Sequence, residues 1–228
     1  SVTYGGSIVN NQETFPFLIS EKFQKKYLNI AANGWGIPNI LNFIDFHDLY
    51  KENSTYVLTC ILDCFTRNLR KSEQNLFFKK KDKLALVSFY KLIIFKLNER
   101  NYSSNKKGVE GNINFIRQDN KKTIISSVEK LSEFNQKLKK INSRLIFVYS
   151  PNLNYLKYLL SNDDSLYFTE RNNLLNYIED RDIEIIDIQK YFDEKTLNNF
   201  KRFYSDNVHL STKGHYLYYE ILSDLIYD

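Results

Sequence analysis

Residues 144–151 read RLIFVYSP, and no other stretch indicates the fold class as strongly. Five apolar or aromatic residues in a row, followed by a proline, are typical of a strand that is buried on both faces of a sheet. Residues 122–141, just before it, form a predicted amphipathic helix, because apolar side chains recur there at spacings of three and four. After it we predict a helix over 170–180 and a strand over 183–188, IEIIDI. Strands that alternate with helices indicate a parallel sheet covered by helices.

The N-terminal part of the sequence continues this alternation. We predict helices over 13–25 and 38–50, and strands over 26–31 and 55–62, with a glycine-rich turn between the first strand and the second helix. The last predicted helix covers 212–226. Residues 70–121 are rich in Lys, Asn and Ser and are predicted to be a helical and loop insertion. We therefore predict one α/β domain over 1–228.

Composition excludes several classes of protein. The chain has 228 residues, which suits one domain of ordinary size, and no run of 18 apolar residues, so no membrane span is predicted. Its net charge is +5, but the basic residues are spread out and no nucleic-acid-binding motif is present. The chain contains no methionine, so we expect that it lacks its natural start.

The two cysteines, Cys60 and Cys64, lie in one short apolar run, where a strand would place both on the same face. Metal sites need more ligands than two, and the nearest histidine, His47, is far away in sequence. We therefore predict two buried free thiols and no metal site.

The residues with the strongest chemical signal are DNVHLSTKGH, 206–215. Asp206 stands three residues before His209, in a loop that opens the last helix. A serine nucleophile needs a base to take its proton and a carboxylate to orient the imidazole, and both would lie on this loop. Taken alone, the pattern also fits a turn aspartate beside a surface histidine. The two other histidines, His47 and His215, are interpreted as structural.

DNVHLSTKGH resembles the last conserved block of the SGNH (GDSL-type) hydrolases, in which Asp-x-x-His precedes the final helix. The resemblance implies that Asp206 and His209 are catalytic. It also implies a three-layer α/β/α sandwich with a parallel sheet of about five strands, from which the first strand of the family is missing in this chain.

A second block, NIAANGWGI (29–37), is similar to the strand and glycine turn that carry one oxyanion-hole donor in that family. Gly34 is the matching residue, and Asn33 is an alternative donor beside it. Glycine suits this role because no side chain obstructs the approaching oxyanion.

The resemblance leaves two candidates for the nucleophile. SVTYG at the start of the chain is similar to the family pattern that begins at the catalytic serine, and Pro16 follows Ser1 at the expected distance. Ser1 is the preferred nucleophile on this alignment. Ser7, in GGSIV, is the alternative.

The third block departs from the family. Family members usually have Gly-x-Asn-Asp, whereas this chain has ILDCFTRN (61–68), with Asp63 at or beside the Asn position and Arg67 four residues later. An ionised aspartate cannot donate a hydrogen bond to an oxyanion. Either Asp63 pairs with Arg67 and is structural, or another group such as Asn33 is the donor.

The resemblance implies hydrolysis or transfer of an ester-linked acyl group, such as acetyl on a carbohydrate, through an acyl-serine and without a cofactor. The expected partner is a small-molecule or carbohydrate ester. The sequence leaves the location open, and an extracytoplasmic or membrane-associated full-length protein is compatible with the resemblance. The alternative, supported by the altered third block, is a catalytically weak or inactive domain that binds carbohydrate or acts as a scaffold.

Overall fold

A computed structural model describes residues 3, 9–31, 34–67, 118–160 and 166–227 of the chain. Three strands form a parallel sheet in the order β1-β2-β3 within these residues. Their bounds are Thr55–Cys60 for β1, Arg144–Tyr149 for β2 and Glu184–Asp187 for β3. The predicted α/β class with a parallel sheet is therefore confirmed.

Seven α-helices surround this sheet within the described residues. They are α1 Phe15–Phe23, α2 Ile37–Phe46, α3 Gln118–Lys139, α4 Leu153–Leu160, α5 Leu166–Glu179, α6 Glu194–Asn198 and α7 Thr212–Tyr227. Four short 3-10 helices join them: Asn11–Glu13, Leu62–Phe65, Ile188–Tyr191 and Phe200–Phe203. Outside the predicted insertion, the predicted strands after residue 50 and the predicted helices all have counterparts here.

Strand β2 lies at the centre of the core. Its residues from Leu145 to Tyr149 are all buried. Since successive side chains of a strand point to opposite faces, both faces of β2 are covered. Helix α3 packs against β2, α2 and α5, while α1 packs against α7. The continuous apolar run RLIFVY is explained by this two-sided burial.

The strand predicted over 26–31 is wrong. Residues 25–31 have neither helical nor strand structure, and Leu28 is 66% exposed. A strand forms only where a neighbouring strand satisfies its backbone groups, and no described strand pairs with this segment. Tyr27 instead packs edge-on against Phe17, with their ring centroids 6.1 Å apart.

The predicted insertion over 70–121 lies outside the described residues except for its last four, which belong to α3. Both cysteines are free and buried, as predicted. Cys60 is the last residue of β1, and Cys64 lies in the 3-10 helix that follows.

Candidate functional site

The loop that carries Asp206 and His209 is closed at its base by backbone pairing. Tyr204 and Leu210 form an isolated antiparallel bridge. Inside it, the Ser205 N–H donates to the His209 carbonyl at 2.8 Å, and outside it the Ser211 N–H donates to the Phe203 carbonyl at 3.0 Å. These bonds fix both ends of a five-residue loop that leads into α7.

Asp206 and His209 form a hydrogen-bonded pair. The distance from Asp206 Oδ2 to His209 Nδ1 is 2.6 Å. The other carboxylate oxygen, Oδ1, accepts the backbone N–H groups of Val208 and His209, each at 2.7 Å. The carboxylate is thereby held in one orientation, and the imidazole is oriented by it.

The electrostatics of the loop favour an ionised Asp206. Burial by itself raises the pKa of Asp206. The carboxylate also accepts hydrogen bonds from the backbone and side chain of His209 and from the Val208 N–H, and these outweigh the effect of burial. The net result is a lowered pKa of Asp206. With Nδ1 directed at a carboxylate, Nε2 is the ring nitrogen left to accept a proton. The His209 side chain is 25% exposed, so this nitrogen belongs to a group that solvent or a ligand can reach.

The loop lies beside the carboxyl end of the sheet. The N–H of Leu153, which begins α4 just after β2, donates to the Asn207 carbonyl at 2.9 Å. In parallel α/β sheets, ligands bind beyond the carboxyl ends of the strands. The Asp206–His209 pair is therefore at the end of the sheet where binding sites are found in this class of fold.

Gly34 lies in a turn that only glycine adopts easily. Its φ is +78°, in the left-handed region, and a Cβ placed there would have no atom of the described residues within 4 Å. The backbone of Gly34 therefore borders open space. This is the environment that an oxyanion donor needs.

The same turn packs tightly on the segment that follows β1. A Cβ on Gly36 would lie 2.1 Å from the Arg67 carbonyl oxygen and 2.8 Å from that of Cys64. Such an approach requires glycine. The structure therefore brings together the second and third sequence blocks, which are about 30 residues apart in sequence.

Asp63 and Arg67 form an ion pair across one turn. Arg67 Nη2 lies 3.4 Å from Asp63 Oδ2, and about a third of each side chain is exposed. The Arg67 N–H also donates to the Asp63 carbonyl at 3.0 Å. Of the two alternatives given for Asp63, this geometry favours the structural pairing with Arg67.

The other predicted site residues lie outside the described residues: Ser1, Ser7 and Asn33. His215 is fully buried in α7, and His47 is exposed at the end of α2, with its ring beside those of Phe43 and Phe46. Neither histidine makes an ion pair with a carboxylate among the described residues.

Sequence reasoning missed a buried charge pair at the carboxyl end of β3. Arg171 of α5 pairs with Asp187, and their side chains are 8% and 3% exposed. The guanidinium also stacks on the Tyr149 ring, 4.8 Å from its centroid. The sequence indicated only the apolar strand that ends in Asp187. It did not reveal that the partner of Asp187 is Arg171 on a helix.

Sequence reasoning also missed three buried hydroxyl groups close to the loop, on Ser150, Tyr204 and Tyr218. Within the described ranges, no group of three His, Cys, Asp or Glu side chains has the arrangement of a metal site. No helix in the same ranges is long and apolar enough to cross a membrane.

Comparison with known proteins gave no relative: no protein-family model, no curated protein and no solved structure matches this chain.

Proposed function

We propose that this protein is a serine-dependent acyl hydrolase or acyltransferase of the SGNH type. The observation that carries the proposal is the 2.6 Å contact between Asp206 Oδ2 and His209 Nδ1, in a loop beside the carboxyl end of a parallel sheet. An imidazole held in this way has its Nε2 available as a general base.

The proposed reaction proceeds through an acyl-enzyme. His209 Nε2 takes the proton of the serine hydroxyl while the serine oxygen attacks the ester carbonyl carbon. The tetrahedral intermediate collapses, the C–O bond to the alcohol breaks, and His209 returns the proton to the leaving alcohol. Water, or a second alcohol, then attacks the acyl-serine by the same proton transfers in reverse order.

The remaining residues of the proposal take the roles that the resemblance implies. Ser1 is the preferred nucleophile and Ser7 the alternative. The Gly34 N–H, with Asn33 beside it, would stabilise the negative oxygen. The open space at Gly34 supports this role, because nothing in the described structure obstructs an approaching ligand there.

The proposal includes a larger sheet than the described one. The proposed fold is a three-layer α/β/α sandwich with a parallel sheet of about five strands, of which the first is missing in this chain, and β1, β2 and β3 are its described part. The burial of β2 on both faces supports helical layers on both sides of the sheet.

A second candidate is a binding or scaffold domain on the same fold. The observation that favours it is the Asp63–Arg67 ion pair, since a carboxylate at this position cannot donate to an oxyanion. Without a second donor, transition-state stabilisation would be weaker and the domain could retain ligand binding alone.

Labelling by a fluorophosphonate separates these candidates. We would treat the chain, a His209→Ala variant and a His47→Ala control with the probe, and would map the adduct by peptide mass spectrometry. His47 is a suitable control because it is exposed and pairs with no carboxylate among the described residues.

The proposal predicts one adduct, on Ser1 or Ser7, that is lost in His209→Ala and kept in His47→Ala. A folded wild-type sample that forms no adduct would exclude the enzymatic proposal and favour the binding domain.

A further inference from the structure

A tyrosine at the base of the loop that carries Asp206 and His209 connects this loop to the sheet. Tyr204 is the residue just before the loop and is 8% exposed. Its hydroxyl donates a hydrogen bond to the Pro151 carbonyl at 2.6 Å, across 53 residues of sequence. Pro151 follows the end of β2, so the bond attaches the start of the loop to the central strand of the described sheet.

The hydroxyl of Tyr204 belongs to a longer buried arrangement. The Tyr218 hydroxyl shares a 2.6 Å hydrogen bond with Ser150 Oγ, and burial together with the nearby Tyr218 raises the pKa of Tyr204. Tyr218 and Ser150 are fully buried. We call Tyr204, Tyr218 and Ser150 the hydroxyl network.

The hydroxyl network reaches the ends of two strands. The Ser150 N–H donates to the Cys60 carbonyl at 2.8 Å, so Ser150 connects the end of β1 with the end of β2. Burial raises the pKa of Tyr204 well above its ordinary value, which keeps its hydroxyl protonated and able to donate at any pH of interest.

A second bond holds the far part of the loop. The Leu153 N–H donates to the Asn207 carbonyl at 2.9 Å, two residues before His209. The loop is therefore attached on one side by the Tyr204 side chain and on the other by its own backbone. Only the first attachment depends on a side chain that can be changed without altering the main chain.

We propose that Tyr204 is a positioning residue that, through the hydrogen bond of its hydroxyl to the Pro151 carbonyl, holds the Asp206–His209 loop in register with the carboxyl end of β2. The catalytic consequence of this inference rests on the proposed function. Its structural consequence, the ordering of the loop, does not. If Tyr204 only fills space in the core, its ring would be sufficient and its hydroxyl would not affect the loop.

The test is Tyr204→Phe, with Tyr56→Phe as the matched control. The Tyr56 hydroxyl also bonds to the backbone, donating to the Leu49 carbonyl at 2.9 Å and accepting the Lys51 N–H at 2.8 Å, but it belongs to the first half of β1. Both variants keep the ring and remove one hydroxyl, so a general loss of stability would be similar in the two.

The first readout is proton exchange of the Val208 and His209 amides, measured by NMR. Both amides donate to Asp206 Oδ1, so their exchange reports how long the loop remains closed. We expect exchange to accelerate about fivefold in Tyr204→Phe, the effect of losing one ordinary hydrogen bond, and to be unchanged in Tyr56→Phe.

The second readout is the kinetics of fluorophosphonate labelling. Two quantities are measured: the labelling rate constant at saturating probe and the probe concentration that gives half of this rate. Tyr204→Phe should lower the rate and leave the concentration unchanged, because the serine and the pocket are intact and only the base is less well placed.

Unchanged exchange of both amides in Tyr204→Phe would overturn the inference, whatever the labelling shows. Equal acceleration in Tyr56→Phe would also overturn it, because the effect would then be a general loosening. If the wild-type chain does not label, the proposed function fails, and the exchange data alone decide the positioning role.

Discussion

His209 and His215 lie six residues apart on either side of the start of α7, yet their surroundings are opposite. His209 is partly exposed, and its Nδ1 lies 2.6 Å from a carboxylate oxygen. His215 is fully buried, its Nδ1 accepts the Phe15 N–H at 3.4 Å, and its ring lies against that of Phe15. A carboxylate and access to solvent make a histidine suitable as a base, whereas an apolar, closed environment keeps it neutral.

The pKa of His215 follows from this contrast. Burial lowers it from 6.5 to about 4, and the charge of Glu13 raises it only in part. Among the described residues, no group forms a hydrogen bond with its Nε2. His215 is thus a packing residue of the contact between α1 and α7, and His209 is the candidate for chemistry. The predictions below test this division, from the largest expected effect to the smallest.

Removal of the imidazole at position 209 should affect activity and not stability. With an activated aryl acetate as substrate, we expect His209→Gln to lower kcat/KM by roughly 10³-fold, the usual contribution of a positioned general base. The melting temperature should stay close to that of the wild type, because the side chain is partly exposed. A variant that is as active as the wild type would contradict the assignment.

Removal of the carboxylate should have a smaller effect in the same direction. Asp206→Asn keeps an oxygen that can accept the Val208 and His209 amides, but it no longer stabilises the imidazolium. We expect kcat/KM to fall by roughly 10²-fold, measured with the same substrate. If His209→Gln abolished activity and Asp206→Asn did not change it, the two residues would not act as a pair.

His215 should determine part of the stability in acid. Its pKa is about 4 in the folded state and 6.5 in the unfolded chain, so the unfolded state takes up the proton first as the pH falls. Its contribution is present above pH 6.5, declines below it and is lost once the pH has fallen through 4. The full effect is on the order of 3 kcal/mol.

Urea unfolding at several pH values measures this contribution. We expect His215→Leu to be less stable than the wild type at pH 7, because the Phe15 N–H loses its acceptor, and to show a flatter decline between pH 6.5 and 4. Parallel curves for His215→Leu and the wild type would show that His215 does not titrate as proposed.

The two glycines of the turn before α2 offer the finest comparison. Gly36→Ala should destabilise the fold by roughly 3 kcal/mol, because the Cβ would overlap the Arg67 carbonyl. Gly34→Ala should cost only about 1–2 kcal/mol of backbone strain, since its Cβ would lie in open space.

Activity should show the reverse order at these glycines. If Gly34 supplies an oxyanion donor, Gly34→Ala should lower kcat per folded molecule by about tenfold, and Gly36→Ala should not. If both variants lost activity only in proportion to the fraction of unfolded protein, Gly34 would not belong to the proposed site.

The sequence alone was sufficient to predict those features that depend on residues close together in the chain. The strands at 55–60, 144–149 and 184–187 lie within the stretches predicted at 55–62, 144–151 and 183–188, whose apolar and β-branched residues indicate a strand without knowledge of its partners. The contact between Asp206 and His209 lies within one turn, so a spacing of three residues was enough to suggest it.

Features that depend on distant partners were missed. The strand predicted at 26–31 needed a neighbour that no described strand provides. The bond from Tyr204 to Pro151 joins groups 53 residues apart, and the Arg171–Asp187 pair joins two elements 16 residues apart. Nothing in the local sequence distinguishes these residues from ordinary core or surface positions.

The most direct test of the central claim, that the His209 imidazole acts as the base, is chemical rescue of a His209→Gly variant. This variant should label very slowly with a fluorophosphonate, and added imidazole should restore part of the rate in proportion to its concentration, while the wild type remains unaffected. Labelling of His209→Gly at the wild-type rate without imidazole would contradict the account, because the serine would then be activated by another group.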